Sequence, residues 1–133
     1  MKQEWKLSCE SYLETVAQTI AKQAGEQYFI ALQGELGSGK TTFVKYLGRI
    51  WGIADVKSPS YDIMHVHRGT QRTLIHIDAY RLKGKSELFL DDVCKPPFCL
   101  VVEWPECLSL SIPFDIHLQF SIKSATERWI QAT

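Results

Sequence analysis

Asparagine is absent from the 133-residue sequence. The guanine-reading NKxD motif of ordinary GTPases requires that residue, and no DxxG motif occurs either. Guanine specificity is therefore unsupported. Adenine becomes the default base for any nucleotide site in this chain.

Excess charge of either sign is also lacking, because 15 Lys and Arg side chains balance 15 Asp and Glu side chains. Autonomous nucleic-acid binders usually carry a basic excess or stripe, so a role on RNA would have to pass through a partner protein. No segment approaches the roughly 18 apolar residues that a membrane span needs, and no long apolar run follows the N-terminal residues. We expect a cytoplasmic protein without membrane contact.

Cysteine pairs at metal-binding spacing are missing as well. The four cysteines form no CxxC pair, and none lies near a His at zinc-finger spacing. We expect reduced, mostly buried thiols at Cys9, Cys94, Cys99 and Cys107. The length suits one domain with a single core, so residues 1–133 are interpreted as one domain without a separate substrate domain.

The chain does contain a complete phosphate-loop motif. Residues 34–41, GELGSGKT, match GxxxxGK[ST] at every fixed position and lie between a strand-like run at 28–32 and apolar residues at helical spacing. Glycines let backbone amides turn toward phosphates, and a helix N-terminus adds unpaired amides and partial positive charge. Lys40 is expected to reach the β- and γ-phosphates, and Thr41 offers a hydroxyl ligand for Mg²⁺.

The rest of the pattern predicts an α/β domain. Beyond the loop and its helix, the predicted elements are a helix at 13–24, a hairpin of 63–66 and 73–77 around Arg68-Gly69-Thr70, a short helix at 85–93, a central strand at 98–102, a half-exposed antiparallel strand at 116–122, and 128–132 pairing beside it. The predicted fold is a single-domain P-loop NTPase fold. Its central sheet is mostly parallel with antiparallel additions, and helices cover both faces.

Two acidic residues follow apolar strands: Asp78 follows residues 74–77, and Glu103 follows residues 100–102. Ligands in open α/β sheets bind beyond the carboxyl ends of parallel strands, so both side chains should converge on the Mg²⁺ held by Thr41. One carboxylate can bind the metal directly or through water, while another orients the attacking water. Each acid taken singly could also be a turn residue or a helix cap.

Two other functions stay open from the residues alone. A small-molecule kinase needs an acceptor pocket and usually an arginine-bearing lid. The mid-chain arginines, Arg68, Arg72 and Arg81, lie in or near the hairpin rather than in a lid insertion. A nucleotide-sensing binding module would use ATP only to set a conformation for docking, so its partner function would survive loss of turnover.

Four strings occur in the order and at about the spacing of one family: GELGSGKTTF, VKSPSY, HIDAYRL and VVEWPE. They span nearly the whole chain, and the sequence resembles the bacterial tRNA threonylcarbamoyladenosine biosynthesis ATPase TsaE, also called YjeE. The resemblance implies an ATPase, weakly active alone, that binds ATP and Mg²⁺ and works with TsaD and TsaB. Those proteins place threonylcarbamoyl on the adenosine next to the anticodon of ANN-reading tRNAs, so contact with tRNA would be indirect.

The resemblance also implies roles for individual residues. The phosphates would be held by Gly37, Ser38, Gly39, Lys40, Thr41 and Thr42. Thr41 and Glu103 would be the Mg²⁺ ligands, and Asp78 matches the strand-end aspartate that Tyr80 and Arg81 follow in the family. Ser8 and Ser11 fall where the family has a polar pair near the base, and Arg128 matches an arginine at the start of the last strand. Ser8 is equally interpreted as a helix cap.

Some positions depart from the family pattern. Residues 58–61, SPSY, resemble a switch segment written SPTY and are equally a plain proline turn. Ser60 keeps the hydroxyl of the usual Thr, whereas Asp62 adds negative charge near the proposed phosphate site, and Ala79 replaces a bulkier Leu.

Trp104, after a buried strand, is interpreted as core or partner surface rather than as a catalyst.

Overall fold

The computed structural model describes residues 3–54, 56, 63–81, 90–108 and 111–133, and the side chain of Arg81 lies outside that description. The regular elements, in chain order, are β1 (Gln3–Leu7), α1 (Tyr12–Gln23), β2 (Gln27–Gln33), α2 (Lys40–Ile50), β3 (Met64–Arg68), β4 (Thr73–Asp78), α3 (Leu90–Val93), β5 (Phe98–Glu103), β6 (Ile116–Ile122) and β7 (Arg128–Ala132). Single 3₁₀ turns follow β4 and β5 at Ala79–Arg81 and Pro105–Cys107.

The seven strands of the described residues form one sheet in the order β1-β7-β6-β2-β5-β4-β3. The four inner strands β6, β2, β5 and β4 run parallel to one another, because β2 pairs in parallel with both β5 and β6, and β4 pairs in parallel with β5. The pairs at the two sides of the sheet, β1 with β7, β7 with β6, and β3 with β4, are antiparallel. The expected α/β fold with a mostly parallel sheet and antiparallel additions is confirmed.

Apolar periodicity explains how the helices cover the sheet. In α1 the buried residues Leu13, Val16, Ala17 and Ile20 recur at helical spacing, and α2 buries Phe43, Val44 and Leu47 in the same way. These side chains join one core cluster with Ile30, Leu32 and Val101 of the sheet. The other face packs Ile75, Ile77, Leu100 and Val102 against partly buried residues that include Leu90 and Val93 of α3. Helices therefore lie on both faces, as expected.

The central strand was predicted from its composition alone. Every residue of β5 is buried, which fits a strand covered on both faces and flanked by two parallel neighbours. The predicted hairpin is also present, since β3 and β4 pair from Met64↔Ile77 to Arg68↔Thr73.

Strand β6 differs from its prediction in direction. Its burial alternates as expected, and β7 pairs beside it in antiparallel fashion, but its inner neighbour β2 runs parallel to it. Alternating burial shows that one face of a strand meets solvent, but it does not show the direction of the neighbouring strand. The antiparallel expectation was therefore wrong for the pairing of β6 with β2.

Two further differences concern short elements. The edge strand β1 was not predicted, because its only apolar signals are Trp5 and the buried Leu7. Of the helix predicted at 85–93, only Leu90–Val93 falls within the described part of the chain, and it is helical. Across the described ranges, no helix has the length and apolar character needed to cross a membrane.

Candidate phosphate-binding site

A cavity of about 600 Å³ opens at the carboxyl ends of the parallel strands. It is bounded by the phosphate loop and the start of α2, by the ends of β4 and β5, and by two outer segments near β1 and β7. Its lining includes most of the predicted site residues: Ser8, Gly37, Ser38, Gly39, Lys40, Thr41, Thr42, Asp78, Glu103 and Arg128. Ser11 is the one predicted site residue that does not line it.

The start of α2 is open to an anion. Its N-cap is Gly39, which has a left-handed backbone (φ 108°) and makes no side-chain capping hydrogen bond, and no acidic residue lies in the first turn. The first amides of a helix have no partner within the helix, and the helix dipole places partial positive charge there. The cavity therefore presents unpaired amide donors that suit phosphate oxygens.

Lys40 is a buried cation inside the cavity, with only 5% of its surface exposed. Its Nζ donates to the carbonyl oxygen of Gly34 at 2.5 Å and lies 4.0 Å from Oε1 of Glu103 and 4.3 Å from the ring centroid of Trp104. Burial lowers the pKa of Lys40, and the nearby carboxylates Glu103 and Asp78 oppose that shift. A phosphate entering the cavity would offer Lys40 a charged partner in place of a neutral carbonyl.

The two predicted carboxylates meet through strand register. Asp78 and Glu103 are the last residues of β4 and β5, and they are direct partners in this parallel pair. Glu103 is buried, whereas Asp78 is half-buried and accepts a hydrogen bond from the backbone N–H of Tyr80 at 3.1 Å. The convergence expected from two separate strand ends is therefore produced by adjacent strands in register.

The donor set suits Mg²⁺ better than a soft or borderline metal. Within the described ranges, no three His, Cys, Asp or Glu side chains come together as a metal-binding group. Mg²⁺ usually keeps several waters and binds one or two carboxylates together with substrate phosphate oxygens. The hydroxyl of Thr41 and the carboxylate of Glu103, both lining the cavity, fit that requirement.

Two contacts in this site were not predicted: the ring of Trp104 beside Lys40, and His76 beside Glu103. Trp104 lines the cavity, with its ring beside Lys40 and 5.2 Å from the ring of Tyr80, and it has a left-handed backbone (φ 60°). That conformation is uncommon for a non-glycine residue and clusters at functional sites. His76, whose Nε2 lies 2.5 Å from Oε2 of Glu103, was not considered. The available signal was a single polar residue in an apolar strand, two positions before Asp78.

The segments near β1 and β7 contain Ser8, Ser11 and Arg128, whose roles were predicted only from the family resemblance. Ser11 is the N-cap of α1 without a side-chain capping bond, so the alternative that Ser8 caps this helix is wrong. Ser8 is exposed on the cavity wall. Nη1 of Arg128 donates to the carbonyl oxygens of Ser124 and Glu127, at 2.8 and 3.2 Å, and so holds the turn before β7. The proposed switch segment at 58–61, together with Asp62, lies outside the described residues.

Cys9 provides a chemical probe of this cavity. It is exposed on the wall rather than buried as expected, and its hydrogen bond with the Ser11 hydroxyl lowers the pKa of its thiol. Burial instead raises the pKa of Cys94 and Cys99. A lower pKa means more thiolate near neutral pH, and thiolate is the form that is alkylated. We expect iodoacetamide to label Cys9 before Cys94 and Cys99, more slowly in Ser11→Ala, and several-fold more slowly with saturating ATP. Peptide mass spectrometry checks this, and labelling indifferent to ATP would argue against a nucleotide in this cavity.

Comparison with known proteins identifies clear relatives. The family model described as "Threonylcarbamoyl adenosine biosynthesis protein TsaE" matches residues 7–130. Proteins named tRNA threonylcarbamoyladenosine biosynthesis protein TsaE match from Bacillus subtilis, 33% identical over 94% of this chain and 80% of the relative, and from Aquifex aeolicus, 32% identical over 94% and 91%. The crystal structure of YdiB from Bacillus subtilis superposes with a TM-score of 0.74 at 26% identity, covering 99% of this chain and 84% of that one.

Proposed function

The chain belongs to the TsaE family, which acts in tRNA threonylcarbamoyladenosine biosynthesis, and on that premise we propose that it is an ATPase serving TsaD and TsaB. In this proposal it binds and hydrolyses ATP in the cytoplasm while those partners form N6-threonylcarbamoyladenosine next to the anticodon of ANN-reading tRNAs. It supports turnover of the modifying complex and reaches tRNA only through that complex.

One observation carries the ATPase part of the proposal. Lys40, Asp78 and Glu103 line a single cavity with the uncapped N-terminus of α2. Phosphoryl transfer needs little covalent chemistry from a protein, and most of its catalysis comes from positioning and electrostatic stabilisation. Backbone amides, a buried ammonium and two carboxylates are the groups that this task requires.

Each group has a proposed role. Residues 37–42, with the amides at the start of α2, and the Lys40 ammonium would hold the phosphate oxygens and stabilise the charge that develops on them. Thr41 and Glu103 would hold Mg²⁺, which supplies further neutralisation of phosphate charge when bound. Asp78 is half-buried at the cavity wall, and in this proposal it orients the attacking water and accepts its proton. Ser8 and Arg128 lie on the outer wall, where we place the nucleoside.

The proposal that partners are needed rests on the arginine content of the cavity. Among the described lining residues, Arg128 is the only arginine, and its Nη1 is engaged with carbonyl oxygens of the preceding turn. An arginine that stabilises the transition state contributes about 10³–10⁵ in rate in related enzymes. The lack of a free arginine among the described lining residues fits an enzyme that is slow alone and completed by another protein.

The test is ATP hydrolysis by this protein alone and with its TsaD and TsaB counterparts, alongside formation of modified adenosine in an ANN-reading tRNA. We expect stimulation of at least about tenfold, below the full effect of an arginine supplied in trans. Partners that neither bind nor stimulate would contradict the proposal. A phosphorylated small molecule formed without partners would identify a kinase. Persistence of modification in a Glu103→Ala variant that has lost turnover would identify a nucleotide-sensing module.

A further inference from the structure

His76 lies below the cavity floor in a position that its strand dictates. Side chains alternate along β4, so His76 shares one face with Leu74 and Asp78, and this is the face covered by α1 and α2. The imidazole is completely buried. A fully buried polar side chain beside a strand-end carboxylate is costly unless it is hydrogen-bonded, so its partner shows what it does.

That partner is Glu103. Nε2 of His76 lies 2.5 Å from Oε2, while Oε1 lies 4.0 Å from Nζ of Lys40. The two carboxylate oxygens are thus engaged by different elements, β4 on one side and α2 on the other. Lys40 belongs to the phosphate loop and has a phosphate to bind, whereas His76 does not line the cavity. The contact from His76 can therefore persist while the Lys40 side of the carboxylate faces a ligand.

The donor and the acceptor of this hydrogen bond can be assigned. An ionised carboxylate only accepts hydrogen bonds, so Nε2 must carry the hydrogen and donate to Glu103. Nδ1 of His76 is buried and has no hydrogen-bond partner among the described residues, so the bond at Nε2 is the one polar contact shown for this imidazole. The contact is therefore a hydrogen bond from Nε2 of His76 to Oε2 of Glu103.

From this geometry we propose that His76 is a positioning residue for Glu103, holding one oxygen so that the other points at the Mg²⁺ site. The inference rests on the proposed function, in which Glu103 is a Mg²⁺ ligand. Hydrogen-bond partners behind a metal ligand orient that ligand and strengthen its interaction with the cation. His76 thus tunes the affinity for Mg²⁺ without touching nucleotide or metal.

Three substitutions separate positioning from simple packing. In His76→Gln the amide nitrogen is as many bonds from Cβ as Nε2 is, so a donor still reaches Glu103. In His76→Asn the amide reaches only as far as Nδ1, and in His76→Leu the donor is lost with similar bulk. The matched control is His117→Leu, the same change at an exposed position of β6.

The measurement is calorimetric affinity for a non-hydrolysable ATP analogue in EDTA and across a Mg²⁺ titration, with hydrolysis followed in parallel. We expect His76→Leu and His76→Asn to need about 10–100-fold more Mg²⁺ for half-saturation, and His76→Gln to stay within about threefold of wild type. Binding in EDTA and the behaviour of His117→Leu should be unchanged. If His76→Leu proves unfolded, the Gln and Asn pair decides the question.

Unchanged Mg²⁺ dependence in folded His76→Asn would overturn the inference while leaving the proposed function intact. An equal loss of binding with and without Mg²⁺ in the Asn variant would also overturn it, because that pattern indicates a packing role. A wild-type protein that binds no adenine nucleotide under either condition would instead refute the proposed function and this inference with it.

Discussion

Lys40→Ala is expected to lower kcat/KM for ATP hydrolysis by about 10²–10³-fold, the usual cost of removing one preorganised donor from a developing charge. The same variant should fail to support threonylcarbamoyladenosine formation. Lys40 is buried and lies beside the uncapped start of α2, where its neighbours include the Gly34 carbonyl, Glu103 and the face of Trp104. The Gly34 carbonyl is neutral and Oε1 of Glu103 is 4.0 Å away, so a phosphate in direct contact would give Lys40 a stronger, charge-assisted hydrogen bond.

Lys45→Ala provides the matched control for this variant. Lys45 lies on the same helix but is exposed, so its removal changes the net charge equally without touching the cavity. Hydrolysis, nucleotide affinity and tRNA modification should be measured for both variants in the presence of the partners. If Lys40→Ala supports tRNA modification at the wild-type level, the proposed function is wrong. A loss equal to that of Lys40→Ala in the Lys45 variant would show that general charge, rather than the cavity, is responsible.

Gly34→Ala is expected to reduce the free energy of unfolding by about 2–6 kcal/mol, the sum of backbone strain and overpacking. Gly34 has φ 148°, a conformation that L side chains rarely adopt. An added Cβ would lie 2.7 Å from the carbonyl oxygen and 2.8 Å from the Cβ of Phe120. Phe120 belongs to β6, which pairs with β2 and β7, so neither atom can yield without disturbing the sheet.

The Gly34 substitution should also weaken nucleotide binding, because the clashes with Phe120 and Ser38 would displace the first residue of the phosphate loop. Its control is Gly25→Ala, where nothing lies within 4 Å of an added Cβ and the backbone needs no positive φ. That change should be neutral or stabilising by up to about 1 kcal/mol. Urea denaturation of both variants measures the difference in the free energy of unfolding. Equal midpoints would contradict the expectation that a Cβ at position 34 causes strain and clashes.

Much of the fold was predictable because its signals are local. The helices show apolar residues at helical spacing, and β5 is apolar at nearly every position, so their type follows from short-range pattern. The family resemblance, drawn from four strings, is confirmed by the family model and by relatives that cover most of the chain. The roles of Lys40, Asp78 and Glu103 stay predictions, although the structure places all three in one cavity.

Other features could not be predicted because they depend on which strands become neighbours. The parallel pairing of β6 with β2, the short edge strand β1 and the absence of Ser11 from the cavity lining all result from tertiary packing. Trp104 was interpreted as core or partner surface, and it does pack against the core cluster that includes Leu100 and Val102. Its left-handed backbone and the position of its ring beside Lys40 were not predicted. No local pattern indicates either feature.

The sequence by itself determined that a phosphate loop joins a buried strand to a helix, that acids end two strands, and that guanine recognition is unsupported. These three conclusions follow from the types of residue and their spacing along the chain. Only the tertiary structure decided that Asp78 and Glu103 are partners in register, that Trp104 meets Lys40, and that His76 supports Glu103 from beneath. The physical reason is that contacts between strands far apart in sequence depend on sheet order and register, which hydrophobic periodicity does not encode.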